Sequence, residues 1–276
     1  NTNATIAASD LKNIGNATSG AVTVTNAVKI TGTQSDVTAA LVTEASKVSA
    51  GSALVTISDD AFATSNSTIA ASDLKNIGNA TTGAVTVTNA IKITGSQSDV
   101  TAALVTEASK VTASTAVVNI TDNAYANTNA TIAASDLKNI GNATTGAVTV
   151  TNAIKITGSQ SDVTAALVTE ASKVTASTAV VNITDNAYAN TNATIAASDL
   201  KNIGNATSGT VTLDNAVRIS GTATDVTAAL VTEASKVVAA TSGTIANVTT
   251  TVTASQGAGY TTINNVNATF SNGVED

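Results

Sequence analysis

Few residues in this chain can move a proton or hold an ion, and those few recur. Asp10, Asp36 and Glu44 each return 63 residues on, and with no His and no Cys in the chain the usual catalytic triads and zinc sites are excluded. Acid–base or nucleophilic work would fall to Asp, Glu, Lys, Ser and Tyr. A catalytic pair occurs once, in a specialised pocket. Acids repeated at fixed positions serve better as helix caps, whose side-chain oxygen accepts from a free backbone N–H, or as a solvated face. No unique acid–base constellation stands out, so the chain reads as a non-enzyme with no catalytic and no cofactor-binding residue.

Three recurring features offer other chemistry. Asp59 and Asp60, with Asp122 and Asp185 at later copies, present oxygens of the kind calcium takes. The glycine-rich calcium nonapeptide and the EF-hand loop are both absent, which favours a polar turn at these positions. Thr23-x-Thr25 recurs at Thr86 and Thr149, an arrangement that on a flat sheet can organise ice-like water; Leu213-Asp214 interrupts it in the fourth copy. Its sparseness along the chain favours ordinary strand propensity. Phe62, Tyr125 and Tyr188 share one repeat position, either as a ligand-facing row or, since aromatics are so scarce, as buried corner fillers. Asn-x-Ser/Thr triplets such as Asn16-Ala17-Thr18 arise by chance in a chain so rich in Asn and Thr, and prove no glycosylation.

Composition narrows the partners. The net charge is −7 with no basic stripe, which argues against nucleic acid. No apolar run approaches the roughly 20 residues of a membrane-spanning helix. The chain contains no Pro, Cys, His, Met or Trp, and a core of Val, Ile, Leu and Ala must be thin. Thin cores suit solenoids, in which each coil packs on the next.

The positions above belong to an internal repeat. The segment that begins Thr5-Ile6-Ala7-Ala8-Ser9-Asp10-Leu11 returns at Thr68, Thr131 and Thr194, each time 63 residues on and without insertion or deletion. The domain reading is repeat 1 at 1–63, repeat 2 at 64–126, repeat 3 at 127–189, a partial repeat 4 at 190–240 and a divergent β tail or cap at 241–276. Within a unit, residues 21–25 and 28–31 alternate as strands do, and 35–48 place Val37, Ala40, Leu41, Ala45 and Val48 at helical spacing, with Ser35 or Asp36 as N-cap and Lys47 at the far end. Residues 54–58 read as a strand. Thr68 is expected to cap a helix over 69–77, with Gly78 as its left-handed end. The predicted architecture is a β/α solenoid of parallel strands, two strand–helix coils per 63-residue repeat, with strands at 244–254 and 260–270 in the tail.

The runs Val55-Thr56-Ile57-Ser58-Asp59, Ile69-Ala70-Ala71-Ser72-Asp73-Leu74 and Ile93-Thr94-Gly95 resemble the Thr/Ala/Asp-rich tandem repeats of giant secreted or cell-surface proteins of cyanobacteria and proteobacteria. The resemblance covers about residues 1–240. It implies a secreted or cell-surface location and a structural or adhesive role, and it carries over no catalytic residue. The expected function is an extracellular structural element: a fibre, stalk, surface-layer or matrix component that self-associates head to tail into filaments. The alternative is an adhesin or a calcium- or ice-binding surface module, with a cell-surface or matrix polysaccharide among its partners.

Overall fold

Strand and helix succeed one another because the apolar period changes along the chain. In Lys29-Ile30-Thr31 one buried β-branched side chain lies between two outward ones, whereas buried Val37, Ala40 and Leu41 share a helical face. The computed structural model describes residues 4–43, 48–106, 111–169, 174–187, 194–215, 217–232, 237–239, 248–253 and 266–270.

Repeat 1 runs β1 (Thr5–Ala7), α1 (Ala8–Asn16), β2 (Val22–Thr23), β3 (Lys29–Gly32), α2 (Gln34–Leu41), β4 (Val48–Ser49), β5 (Leu54–Ile57) and α3 (Phe62–Ser65). Repeat 2 runs β6 (Thr68–Ala70), α4 (Ala71–Asn79), β7 (Val85–Val87), β8 (Lys92–Gly95), α5 (Gln97–Leu104), β9 (Val111–Thr112), β10 (Val117–Ile120) and α6 (Tyr125–Thr128). Repeat 3 runs β11 (Thr131–Ala133), α7 (Ala134–Ala143), β12 (Val148–Val150), β13 (Lys155–Gly158), α8 (Gln160–Leu167), β14 (Val174–Thr175) and β15 (Val180–Ile183). Repeat 4 and the tail contribute β16 (Thr194–Ala196), α9 (Ala197–Ala206), β17 (Val211–Leu213), β18 (Arg218–Thr222), α10 (Ala223–Leu230), β19 (Val237–Ala239), β20 (Val248–Thr253) and β21 (Val266–Phe270). The architecture is the expected repeat solenoid of strand–helix coils with parallel strands: β1–α1 and β3–α2 are the two coils of repeat 1, and β5 follows them.

Local details differ from the sequence reading. The N-cap of α2 is Thr33, whose hydroxyl accepts from the Asp36 N–H, and not Ser35 or Asp36; Ser96, Ser159 and Thr222 do the same in later copies. Helix α2 ends at Leu41, so Val48 is a strand residue, and Ala45 and Lys47 lie outside the described residues. Thr68 opens strand β6 rather than capping a helix. The helix begins at Ala71, has Ala70 at its N-cap with no side-chain bond, and runs through Gly78 to Asn79. Pairing of Thr68-Ile69-Ala70 with Lys92-Ile93-Thr94 outweighs the capping preference of Thr68. The tail strands are Val248–Thr253 and Val266–Phe270.

The described fold clusters into two compact units, one of Asn1–Asp122 with Asn139–Thr149, the other of Asn123–Lys138 with Val150–Asp276. In the first, one sheet has the order β1-β3-β5-β7-β9, a second contains β6, β8, β10 and β12, and β2 pairs with β4 alone. In the second, the sheets are β11-β13-β15-β17-β19 and β16-β18-β20-β21. The five-stranded sheets share one logic: three strands come from one repeat and two from the next. Val55 pairs with Val85, Thr56 with Thr86 and Ile57 with Val87 across that seam, and β15 meets β17 in the same register in the second unit. The helices follow suit, with α2 packing on α4 and α8 on α9.

The seam is polar at its backbone and apolar beneath. The Thr81 hydroxyl donates to the Ala53 carbonyl at 2.6 Å and accepts from the Gly83 N–H at 3.0 Å. Thr82 N–H donates to Gly51 O and Thr88 N–H to Ile57 O, while Asn89 Nδ2 donates to Asp59 O at 2.7 Å. Gly83 lies so close to the preceding repeat that a Cβ there would fall 2.2 Å from Ala53 O; Gly146 and Gly209 stand equally close to Ala116 O and Ala179 O. Below the strands Ile77 and Val85 are fully buried.

Candidate functional site

The repeated carboxylates sit where chain segments meet. Asp36 is in the first turn of α2, and its Oδ1 accepts from Lys12 Nζ at 2.6 Å, tying α1 to α2. Lys75–Asp99, Lys138–Asp162 and Lys201–Asp225 repeat the pair at the same distance. The lysine hydrogen bond holds each of these aspartates below the ordinary carboxylate value, helped by the N-cap hydroxyl. Asp10 lies in the first turn of α1, favourably placed at the positive end of the helix. Glu44 lies outside the described residues.

The four calcium candidates divide by position. Asp59 Oδ2 accepts from the backbone N–H of Gln34, the first residue of α2, at 2.6 Å; Asp122 does the same for Gln97 and Asp185 for Gln160. Each aspartate reaches back from the end of the next strand to cap a helix one coil earlier, a role that no sequence spacing advertises. Gln34 then spans its own helix and the next repeat, donating to Thr38 Oγ1 at 2.7 Å and to Asp73 Oδ2 at 3.1 Å. Asp60 is exposed, and the Ser65 hydroxyl meets its backbone carbonyl. Among the described residues no group of three or more Asp or Glu converges as a metal site.

The aromatic position is half-buried rather than a buried corner. Lys92 Nζ stands 5.2 Å from the Phe62 ring centroid and Lys155 Nζ 5.4 Å from that of Tyr125, a cation–π contact at each. Tyr188 lies outside the described residues.

The sheets place an array that the sequence reading missed. On the outward face of β3, β5, β7 and β9, Thr31 pairs with Thr56, Thr56 with Thr86 and Thr86 with Thr112. Parallel strands lie ~4.8 Å apart, so the hydroxyls form a regular row across the strands. Thr23-x-Thr25, read along one strand, supplies a single rung at most. Beside this row a shallow depression of about 290 Å³ is lined by Lys29, Leu54, Thr56, Ala84, Thr86 and Thr88. Leu54 is 49% exposed there, giving the face one apolar contact among hydroxyls and a cation. In the second unit the row reads Thr157, Asn182 and Thr212, and the Asn182 amide donates to Asp214 at 2.6 Å.

This surface offers hydrogen-bonding groups at a fixed spacing. Among the described residues no helix is long and apolar enough to cross a membrane. Compared with family models, curated proteins and solved structures, the chain matches none.

Proposed function

We propose that the chain is a structural, non-enzymatic repeat segment of a secreted or cell-surface bacterial protein, serving as fibre, stalk, surface-layer or matrix component and associating head to tail. The observation that carries this reading is the sharing of strands between repeats. A five-stranded sheet drawn from two repeats leaves neither repeat with a complete sheet of its own. Backbone hydrogen bonds between β5 and β7 join one repeat to the next, and further copies extend the array without new chemistry. The acids act as caps and ties, which accounts for their repetition without invoking turnover.

Electron microscopy of the purified chain at high concentration tests this. Rods or filaments are expected. Discrete round particles, together with hydrolysis of a polysaccharide that a single Asp substitution abolishes, would overturn it.

The Thr31–Thr56–Thr86–Thr112 row favours a second reading, an adhesive or ice-binding face. Hydroxyls at fixed spacing with an exposed Leu54 beside them suit ice or a polysaccharide chain. Thermal hysteresis and glycan binding by the wild type, each lost in Thr56→Lys/Thr86→Lys, are the outcomes that separate this reading from a purely structural one. Calcium titration monitored by calorimetry covers Asp59, Asp60, Asp122 and Asp185.

A further inference from the structure

The outward face of the first sheet sets unused hydroxyls beside an unneutralised cation. Among the described residues the hydroxyls of Thr31, Thr56, Thr86 and Thr112 have no hydrogen-bond partner, whereas Thr81 and Thr88 donate theirs to backbone carbonyls. Lys29 precedes Thr31 by two positions on β3, so both side chains leave the sheet on one side. The depression beside the row joins Lys29 to Leu54, Thr56 and Thr86, and no carboxylate lines it. Lys12 and Lys75 are each tied to an aspartate, but Lys29 forms no ion pair among the described residues.

The cation recurs. Lys92 and Lys155 hold the place of Lys29 and are half-buried against Phe62 and Tyr125, at 5.2 and 5.4 Å from the ring centroids. A ring face holds a cation without neutralising it. The openness recurs as well. Ala147, Thr151 and Thr175, the counterparts of Ala84, Thr88 and Thr112 in a repeat with whole repeats before it, are exposed too.

The second unit shows what spoils the face. Asp214 stands there in place of Thr88, and its N–H donates to Ile183 O as the Thr88 N–H donates to Ile57 O. Its carboxylate engages Asn182, which stands in place of Thr56, at 2.6 Å. That row carries a negative charge and an occupied amide. The row of the first unit carries unbonded hydroxyls and a positive charge.

We propose that the outward face of β3, β5, β7 and β9 binds an acidic polysaccharide, a linear chain of carboxylated sugars lying along the threonine row. The row runs across the strands at ~4.8 Å per step, close to the length of one pyranose unit in an extended chain, so each strand meets successive sugars with one hydroxyl. Lys29 takes a sugar carboxylate, and the exposed Leu54 covers the C–H face of a ring. The charge selects this class over a neutral glycan or ice, neither of which offers Lys29 a partner of opposite sign. This rests on the adhesive reading of the face and names its ligand class.

Titration calorimetry of the full chain with polygalacturonate, and with the same polymer fully methyl-esterified, tests the proposal. The wild type is expected to bind the acid far more tightly than the ester, and more weakly as salt rises. Lys29→Gln should weaken binding by about 10-fold. Thr88→Asp, which copies the acid of the second unit, should do the same. Thr56→Val/Thr86→Val should also weaken binding by about 10-fold, with the circular dichroism of the wild type. Equal binding of acid and ester, or binding that Lys29→Gln or Thr88→Asp leaves unchanged, overturns the acidic class and leaves an adhesive face standing. Binding lost in Lys29→Gln but untouched by Thr56→Val/Thr86→Val overturns the site and reduces it to general charge attraction. Binding of neither polymer overturns the proposal; thermal hysteresis in that case keeps the face for ice, and its absence overturns the adhesive reading as well.

Discussion

The helix–strand face of repeat 2 and that of repeat 1 are built from the same residues and have different surroundings. Ile77, Thr81 and Val85 are buried and Gly83 lies against the Ala53 carbonyl, whereas Ile14, Thr18 and Gly20 are exposed and Val22 is half-exposed. Both helices nevertheless have the same length, nine residues, and the same extended N-cap geometry. Local sequence therefore builds the coil, and the neighbouring coil supplies the burial. That is the division expected of a repeat array, whose stability is the sum of intrinsic repeat terms and larger interface terms.

The comparison breaks most visibly at the buried isoleucine. Ile77→Ala removes a fully buried side chain and is expected to cost about 3–4 kcal/mol, while Ile14→Ala should stay within about 0.5 kcal/mol for the monomer. Urea unfolding of the two variants under dilute conditions measures both. Equal losses would mean that the seam contributes nothing beyond the repeat itself.

Glycine gives the next contrast. Gly83→Ala forces a methyl group against Ala53 O and should cost about 2–3 kcal/mol, whereas in Gly20→Ala the methyl group meets Thr18 Oγ1 at an ordinary contact distance of 3.6 Å. Hydrogen exchange locates the effect: the amides of Val55 and Thr88, bonded across the seam, should lose protection in Gly83→Ala and keep it in Gly20→Ala. Thr81→Val follows at about 1–2 kcal/mol, because the buried Ala53 carbonyl and the Gly83 N–H both lose their hydroxyl partner. At Thr18 the same substitution removes one exposed contact and should be nearly silent.

How much of this was legible in the sequence follows from what each feature depends on. The indel-free period and the change from alternating to helical spacing are local patterns, and they pointed to stacked strand–helix coils with parallel strands. Cap positions were less legible. Thr33, Ser35 and Asp36 are all good capping types, and only the end of β3 at Gly32 selects Thr33. Thr68 reads as a cap until strand Lys92–Gly95 claims it as a pairing partner. The threonine row was invisible for a different reason: its members, 31, 56, 86 and 112, are separated by 25, 30 and 26 residues, so no single spacing reveals them. The aspartate of each Asp59-type turn is likewise defined by a helix N-terminus 25 residues earlier.

The smallest expected effect sharpens the comparison by being the same in both regions. Lys12–Asp36 lies wholly within repeat 1 and Lys75–Asp99 wholly within repeat 2; both span 2.6 Å, and their side chains are similarly exposed, 32% and 32% against 34% and 33%. Each bond is made within one repeat, so Lys12→Met and Lys75→Met should cost alike, about 0.5 kcal/mol or less each at neutral pH, since exposed pairs are screened by water and salt. The pH dependence carries a sign. The lysine bond lowers the folded pKa of Asp36 and Asp99 beneath the ordinary 3.8, so the folded state releases those protons more readily than the unfolded chain does. Stability from the pair is therefore fully present above about pH 3.8 and is lost as pH falls through the lowered folded value. Urea midpoints measured from pH 6 down to about pH 2 should drop less steeply below that point in either Met variant than in the wild type. A clear difference between the two variants would show that the neighbouring repeat reaches the Lys–Asp pair after all, and would move the boundary between coil and seam inward from Thr81 toward α4.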